Sequence, residues 1–351
     1  PQGIGKTRLR RELLRRLRDH GHDIAIWTGQ LDALSAGAPY GLLSSALFRL
    51  CRISPSEAID DQRAKLLGRL GRNVPATERT RIAEFIGELC GVPFEDTGSP
   101  RLRAARSDPR LMSHETCGAF FDLLRGECAG RSVLLVLDDL QWGDAQSVDL
   151  IGAALRELSD QPFAVLALGR PEVATLFPRL WSDRVQEIAL GGLGRKASER
   201  LTLELLRGSP ASAPPAAVVA RILAQAGGNP LFIEELVRPL RHALPQPGGP
   251  DKDGTDTAVP GTILAMLQAR LGGLERGARR VLRAASIFGE HFWMRGLQTL
   301  LGESETDEIE TWLRLMREAE IIERCPTSRL VGDSEYMFRH ALLRAAAYSL
   351  L

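Results

Sequence analysis

The first residues of the chain constrain its fold more than any other feature, because residues 3–7 read Gly-Ile-Gly-Lys-Thr. This phosphate loop matches the end of the pattern G-x-x-x-x-G-K-[ST], whose glycines let backbone N–H groups face a polyphosphate. Lys6 is expected to bind the β and γ phosphates, and the Thr7 hydroxyl is expected to bind Mg²⁺. Such a loop connects a strand of a parallel sheet to a helix. The sequence therefore predicts an α/β fold with a phosphate site at the edge of the sheet.

The first glycine of that pattern would stand one position before Pro1. We therefore expect the chain to be a fragment that lacks the strand preceding the loop. In this fold that strand runs through the middle of the sheet, and its loss exposes apolar faces and unpaired backbone groups. We predict that residues 1–351 alone fold or bind ATP poorly, and micromolar binding of labelled ATP by this chain would contradict that prediction.

Lysine is rare in this chain, and its position in the loop supports the interpretation. Only four of the 45 basic residues are lysines, at positions 6, 65, 196 and 252. The loop needs a compact point charge, whereas arginine presents a wide planar fork. A short GxGKT sequence can also begin a helix that binds no ligand, so the interpretation depends on a second motif.

The composition of the chain excludes several functional classes. A formal net charge of +1 gives no overall field that favours nucleic acid or an anionic membrane. The five cysteines are scattered and form no C-x-x-C pair, which predicts neither a disulfide framework nor a zinc site. No segment approaches the roughly 20 apolar residues of a membrane span, and no signal peptide precedes the loop. We expect a cytoplasmic protein without a membrane partner.

Four short apolar runs predict buried parallel strands, because polar residues do not alternate within them. They lie at 23–28, 132–137, 163–168 and 185–190. Helical patterns fill the intervals, which is typical of a sheet with crossover helices. Residues 39–125 are too many for one crossover and are predicted to be mostly helical, with a mobile loop at 92–109. We assign residues 1–190 to a P-loop NTPase core whose first strand is missing from the chain.

Strand signals largely disappear from the rest of the chain. Residues 191–244 predict a helical lid subdomain, interrupted by a stretch rich in Ser, Pro and Ala at 208–217. Residues 245–260 are rich in Pro, Gly and Asp and predict a linker. Residues 261–351 predict a winged-helix-like domain. Its elements are helices at 261–271, 275–288 and 306–319, and a hairpin that pairs 321–330 with 336–338.

A second motif, Val-Leu-Leu-Val-Leu-Asp-Asp at residues 133–139, predicts a buried strand that ends in carboxylates. Such a strand places its acids at the carboxyl edge of the sheet, where ligands bind. Asp138 is expected to hold Mg²⁺ together with Thr7, and Asp139 is expected to polarise an attacking water. Arg170 follows the next predicted strand and could reach the γ-phosphate. Alternatively, the two acids begin a turn, and Arg170 is an exposed residue before a helix-starting proline.

Two further segments gain no role from their composition alone. Asn229 and Pro230 lie in the run Gly-Gly-Asn-Pro-Leu-Phe, where they suit the N-cap and the first position of a helix. His340 lies in a segment that is typical of a core helix with one histidine.

Six runs follow one another along the chain: GIGKT, LLVLDDLQWGDAQS, LALGRPE, GGNPLFIEEL, VPGTILAMLQARL and FRHALLRAAAYSLL. Together they resemble the nucleotide-binding core of STAND regulators, which are signal-transduction ATPases with numerous domains. The similarity is to the bacterial branch found in large LuxR-type transcriptional regulators and in ATPase modules attached to adenylate cyclases. The resemblance implies that Lys6 and Thr7 are a Walker A pair. It also implies that Asp138 and Asp139 are a Walker B pair and that Arg170 is a sensor arginine.

The same resemblance implies that Pro230 packs near the adenine and that His340 approaches the β-phosphate of bound ADP. In this family ADP clamps the winged helix onto the nucleotide domain, and an inducer lets ATP replace ADP. Asp139 and Arg170 are then the catalytic residues, while Thr7 and Asp138 hold the metal. The residues implied to bind the nucleotide are Gly3, Ile4, Gly5, Lys6, Thr7, Arg8, Pro230 and His340.

The sequence therefore predicts an ATP-binding regulatory switch of a bacterial signalling protein, a LuxR-type transcriptional regulator, with slow ATP hydrolysis. Its expected partners are ATP, ADP and Mg²⁺, further copies of itself after activation, and an inducer or protein bound by flanking domains. DNA would be bound only by an output domain outside this chain. The alternative is a mechanical AAA+ ATPase or origin-binding loader acting on DNA or protein. A small-molecule kinase is disfavoured, because no acceptor-site motif is found.

Overall fold

The computed structural model describes residues 3–31, 37–181, 184–207, 216–242, 263–302, 306–325, 328–330 and 332–351. Contacts divide the chain into a first unit, residues 1–16 with 186–273, and a second unit, residues 17–185 with 274–351. The linker predicted at 245–260 lies outside the described residues, as does most of the interruption predicted at 208–217.

The structure is built mainly of helices, with two small groups of strands. The helices are α1 (Lys6–Asp19), α2 (Gly41–Cys51), α3 (Ile59–Leu70), α4 (Arg79–Cys90), α5 (Pro100–Ser107), α6 (Pro109–Cys128), α7 (Ala145–Glu157), α8 (Val173–Leu176), α9 (Arg195–Leu206), α10 (Ala216–Ala226), α11 (Pro230–His242), α12 (Ile263–Gly272), α13 (Arg276–Ile287), α14 (Met294–Leu301), α15 (Thr306–Glu318) and α16 (Ala341–Tyr348). The strands are β1 (Ile24–Gln30), β2 (Ser132–Asp138), β3 (Phe163–Ala167), β4 (His291–Trp293), β5 (Ile322–Arg324) and β6 (Glu335–Phe338).

A parallel sheet in the order β1-β2-β3 lies in the second unit. The β1–β2 ladder runs from Ile24 opposite Ser132 to Gln30 opposite Asp138. The middle strand β2 buries its apolar side chains on both faces, which explains why its sequence lacks polar alternation. These strands confirm the α/β prediction and the strands predicted at 23–28, 132–137 and 163–168.

The strand predicted at 185–190 is wrong. These residues form no regular secondary structure and make no ladder with any described strand. Their apolar side chains are exposed to solvent, Val185 to 47% and Ile188 to 72%. A strand exists only where a neighbour accepts and donates its backbone hydrogen bonds, and an apolar run by itself does not supply that neighbour.

Five helices, α2 to α6, stand between β1 and β2 and confirm that residues 39–125 are mostly helical. They share a hydrophobic core with the sheet, in which Trp27 of β1, Phe85 of α4 and Phe120 of α6 are fully buried. The insertion therefore covers the sheet and forms part of the same folded body.

The loop predicted at 92–109 is partly wrong, because it contains helix α5. Ser99 is the N-cap of α5, and its hydroxyl accepts a hydrogen bond from the backbone N–H of Leu102 at 3.4 Å. Pro100 occupies the first helical position, where its missing N–H costs nothing. The Ser-Pro pair that suggested a loop is thus the start of a short helix.

A second sheet in the order β4-β6-β5 is antiparallel and also lies in the second unit. Ile322 faces Phe338 and Arg324 faces Tyr336, which confirms the predicted hairpin. The ring of Phe292 packs on those of Tyr336 and Phe338, at centroid distances of 5.8 and 5.5 Å. The helices predicted at 275–288 and 306–319 are present as α13 and α15. The name winged-helix for this region stays a prediction.

The first unit contains a helical core made by α9, α10 and α11. Its buried side chains include Leu206, Ile222 and Ile233, and Met266 of α12 packs against them. The buried carboxylate of Glu235 on α11 pairs with Arg270 of α12 at 2.8 Å. This confirms that the region predicted as a helical lid is helical.

Candidate functional site

The phosphate loop turns directly into helix α1. Gly3 and Gly5 have φ angles of +72° and +102°, in the region that side chains with a Cβ rarely adopt. Lys6 is the first residue of α1, and the backbone N–H of Leu9 donates to the Gly5 carbonyl at 2.9 Å. A Cβ atom placed on Gly5 would meet nothing within 4 Å. The loop thus lies at a helix N-terminus, with open space beside Gly5, and an anion is stabilised at such a terminus.

The loop also packs against the start of helix α11 in the same unit. The backbone N–H of Leu231 donates to the Gly3 carbonyl at 3.4 Å. A Cβ atom on Gly3 would lie 2.8 Å from the Leu231 Cβ and 3.0 Å from the Asn229 Oδ1. Asn229 caps α11, because its Oδ1 accepts from the N–H of Leu231 at 3.0 Å. Pro230 stands between these two contacts, so its turn adjoins the loop.

Asp138 and Asp139 lie at the carboxyl end of the middle strand, as predicted. Asp138 ends β2 and is 4% exposed, and its Oδ1 accepts from the Asp139 N–H at 3.2 Å. Asp139 has φ 53° and ψ 47°, a left-handed conformation that is uncommon for a residue with a side chain. The next N–H, of Leu140, donates to the Leu168 carbonyl at 2.9 Å and ties this turn to the end of β3.

Gln141 connects the second acid to the candidate sensor. Its Nε2 donates to the Asp139 Oδ1 at 2.9 Å, and its Oε1 accepts from the Arg170 backbone N–H at 3.2 Å. The Arg170 guanidinium lies over the ring of Trp142, 5.8 Å from its centroid. The structure therefore links Asp138, Asp139 and the Arg170 backbone through Gln141, which the sequence analysis did not identify as a site residue.

Residues 1–166 match the protein family described as AAA ATPase domain. The match covers a little under half of the chain. A curated relative, an uncharacterized protein of Rhizobium meliloti (strain 1021), is 24% identical over 355 residues, which covers 99% of this chain and 32% of that protein. The chain thus spans about a third of the length of this relative.

Similar solved structures have low scores. The Aeropyrum pernix ORC1 protein in complex with DNA is 14% identical with a TM-score of 0.35, and the match covers 99% of this chain and 84% of that one. Drosophila ORC bound to DNA is 12% identical with a TM-score of 0.35, over 99% of this chain and 79% of that one. Such scores give these likenesses no weight for the function of this chain. Among the described residues, no helix is both long and apolar enough for a membrane crossing.

The region matched by the family model contains one more carboxylate with a clear structural role, Asp144. It is 3% exposed, and its Oδ1 accepts from the backbone N–H groups of Ser147 at 2.7 Å and Tyr40 at 2.9 Å. Its Oδ2 accepts from the Leu42 N–H at 3.1 Å. One side chain therefore caps α7 and anchors the start of α2. The sequence analysis missed this residue, although the spacing Asp-x-Gln-Ser after a turn is an N-cap signal.

Two predicted groupings stay predictions. The first is the pairing of Thr7 with Asp138 at one metal ion, because Thr7 belongs to the first unit and Asp138 to the second. The second is the approach of His340 to the nucleotide. His340 stands just before α16, at its N-cap position, and makes no side-chain cap. That helix packs against α13 and β6.

Proposed function

We propose that the chain is an ATP-binding switch with slow hydrolysis, in which the phosphate loop controls the position of helix α11. The observation that carries the proposal is the direct packing of Gly3 on Leu231, with the loop carbonyl accepting the Leu231 N–H at 3.4 Å. A ligand that changes the path of the loop must move the first turn of α11 or break this contact. ATP and ADP then differ in the lid position that each stabilises.

The loop fits a nucleotide polyphosphate. A Cβ on Gly5 would meet nothing within 4 Å, and α1 begins at Lys6, so the loop lies at a helix N-terminus, where backbone N–H groups stabilise an anion. Mg²⁺, when bound, would neutralise phosphate charge and be held by the Thr7 hydroxyl and the buried Asp138 carboxylate. Ile4 and Arg8 complete the loop and the first turn.

The carboxyl edge of the sheet supports a slow hydrolytic step. Asp139 is the residue that would orient the attacking water. Gln141 fixes its Oδ1, which leaves Oδ2 to contact the water. The same glutamine fixes the backbone of Arg170, the residue that would contact the γ-phosphate. The aspartate arm is one methylene shorter than that of a glutamate, and this supports slow rather than rapid turnover.

We further propose that this switch belongs to a bacterial signalling protein of the LuxR regulator type, with His340 contacting ADP in the closed state. The support for this finer assignment is the order of the motifs along the chain, from GIGKT to FRHALLR. Activation is then expected to release α16 and allow self-association. Any DNA contact would belong to another domain.

The decisive experiment measures nucleotide binding and assembly in the protein as it is encoded. Lys6→Ala is expected to weaken binding of fluorescent ATP and ADP at least 100-fold, because the phosphates lose their point charge. Lys196→Ala is the matched control, since this exposed lysine lies on α9 of the same unit. Unchanged nucleotide binding in the Lys6 variant would refute the proposal.

Turnover separates the switch from the competing loader. A switch is expected to hydrolyse ATP at a few turnovers per minute or fewer and to assemble with ATP but not with ADP, as measured by light scattering. Sustained turnover that appears only in a hexamer would instead establish a mechanical AAA+ ATPase.

A further inference from the structure

A histidine, a cysteine and a glutamate lie close together on the antiparallel sheet, far in sequence from the phosphate loop. His291 begins β4, Glu335 begins β6, and Cys325 follows the last residue of β5. The backbone N–H of Cys325 donates to the Glu335 carbonyl at 2.9 Å. We call these three residues the His–Cys–Glu cluster. Within the described ranges, it is the one group of at least three such side chains whose ligand atoms all lie within 4.8 Å of one another.

The distances between the ligand atoms suit a single metal ion. The His291 Nδ1 lies 3.8 Å from the Cys325 Sγ and 2.8 Å from the Glu335 Oε1. Zinc bonds of about 2.0–2.1 Å to nitrogen and 2.3 Å to sulfur place the two ligand atoms of a tetrahedral site about 3.5 Å apart. The nitrogen and sulfur already have nearly this separation. The nitrogen and oxygen would move apart by roughly half an ångström as the ion replaces their hydrogen bond.

We propose that His291, Cys325 and Glu335 bind a divalent transition metal, with Zn²⁺ as the expected ion. Thiolate and imidazole ligands favour zinc over the hard cations Mg²⁺ and Ca²⁺. Three protein ligands leave the fourth tetrahedral position for water or another donor. This site is separate from the nucleotide site in its residues, and it does not depend on the proposed function.

The surroundings supply the support that a ligating carboxylate needs. Glu335 is 2% exposed, and the backbone N–H of Arg329 donates to its Oε2 at 2.7 Å. This bond holds the carboxylate while Oε1 binds the ion, which is the usual outer contact of a metal-bound carboxylate.

Arg329 is the group that competes with a metal. Its Nε donates to the Glu335 Oε1 at 2.9 Å, and its guanidinium lies 5.0 Å from the centroid of the Trp293 ring. The side chain is 50% exposed, so it can leave Oε1 and keep its place over the indole. The positive charge of the ion then replaces that of Arg329 beside the Glu335 carboxylate.

The test is a titration of the protein, free of nucleotide, with Co²⁺ as a spectroscopic substitute for Zn²⁺. One equivalent is expected to produce a sulfur-to-cobalt charge-transfer band that Zn²⁺ abolishes. Cys325→Ser is expected to lose the band and to bind Zn²⁺ at least tenfold more weakly. Cys117→Ser, which changes another partly exposed cysteine, is expected to behave as the unchanged protein. A band that survives in the Cys325 variant, or disappears in the Cys117 variant, would overturn the proposal.

A second measurement needs no variant and so remains informative if Cys325→Ser folds poorly. The rate at which an alkylating reagent modifies Cys325 is followed by peptide mass spectrometry, with and without Zn²⁺. Metal binding is expected to slow this reaction at least tenfold and to leave Cys117 unaffected. Equal rates for Cys325 under both conditions would overturn the proposal and leave the cluster as a hydrogen-bonded group of His291, Glu335 and Arg329 only.

Discussion

The strongest prediction concerns Asp144, whose carboxylate accepts three backbone hydrogen bonds while only 3% exposed. Asp144→Ala leaves the N–H groups of Tyr40, Leu42 and Ser147 without this acceptor. Loss of a helix N-cap costs about 1 kcal/mol. Each of the other two bonds to a buried charged acceptor is worth about 1.5–3 kcal/mol. Because water can partly fill the space, we expect a total loss of about 3–5 kcal/mol.

The assay combines urea denaturation with amide hydrogen exchange of the same protein. Asp144→Ala should lower the free energy of unfolding by that amount and remove protection at the three amides. Asp144→Asn should lower the free energy of unfolding by about half as much. It keeps one oxygen acceptor, but its side-chain NH₂ group faces a backbone N–H that also donates. Asp149→Asn is the control on the exposed side of α7, with an expected change within about 0.5 kcal/mol. An Asp144→Ala protein within about 1 kcal/mol of the unchanged one, with its amides still protected, would refute the reasoning.

Three further predictions concern the loop, the relay glutamine and the antiparallel sheet. Gly3→Ala and Gly5→Ala should both weaken ATP binding, because both positions have positive φ. Only Gly3→Ala should increase hydrogen exchange of the Leu231 amide. Equal exchange of this amide in the two variants would disprove the contact between Gly3 and Leu231. Gln141→Leu should lower ATP turnover roughly 100-fold while the ATP dissociation constant stays constant, and unchanged turnover would contradict the relay. The folded pKa of Glu335, about 2, lies below its ordinary 4.5. Its stabilisation is thus present above pH 4.5 and is lost as the pH falls toward 2, so Glu335→Gln should flatten acid unfolding measured by circular dichroism across that window. If Glu335→Gln unfolds in acid with an unchanged profile, the Glu335 carboxylate does not supply this stabilisation.

The sequence analysis succeeded where one local pattern determines the structure. The apolar run at 132–137 predicts strand β2, and the acids that follow this run predict that Asp138 lies at the end of the strand. The strand at 185–190 failed because apolar composition cannot supply a hydrogen-bonded neighbour. Helix α5 was missed because Ser and Pro serve equally in loops and at helix starts.

The hydrogen bonds and contacts within the candidate site could not be predicted from local sequence patterns. The bond from Arg170 to Gln141 joins residues 29 positions apart. The contact of Gly3 with Leu231 joins the two segments of the first unit, which are far apart in sequence. Such pairs are decided by how the chain folds back on itself, and a single sequence contains no periodic signal for them.

The five-helix insertion between β1 and β2 has a consequence for the order of folding. These two strands are neighbours in the sheet, and the bond from Tyr40 to Asp144 closes a segment of 104 residues. Contacts this distant in sequence form slowly, because the entropy of closing the segment is lost before any bond compensates for it. The helix pairs α3–α4 and α4–α6 make shorter-range contacts, and their early formation would bring the strand ends together. The edge that carries Asp138 and Asp139 would then be completed only after the insertion has folded, so damage to the insertion should delay the appearance of activity during refolding.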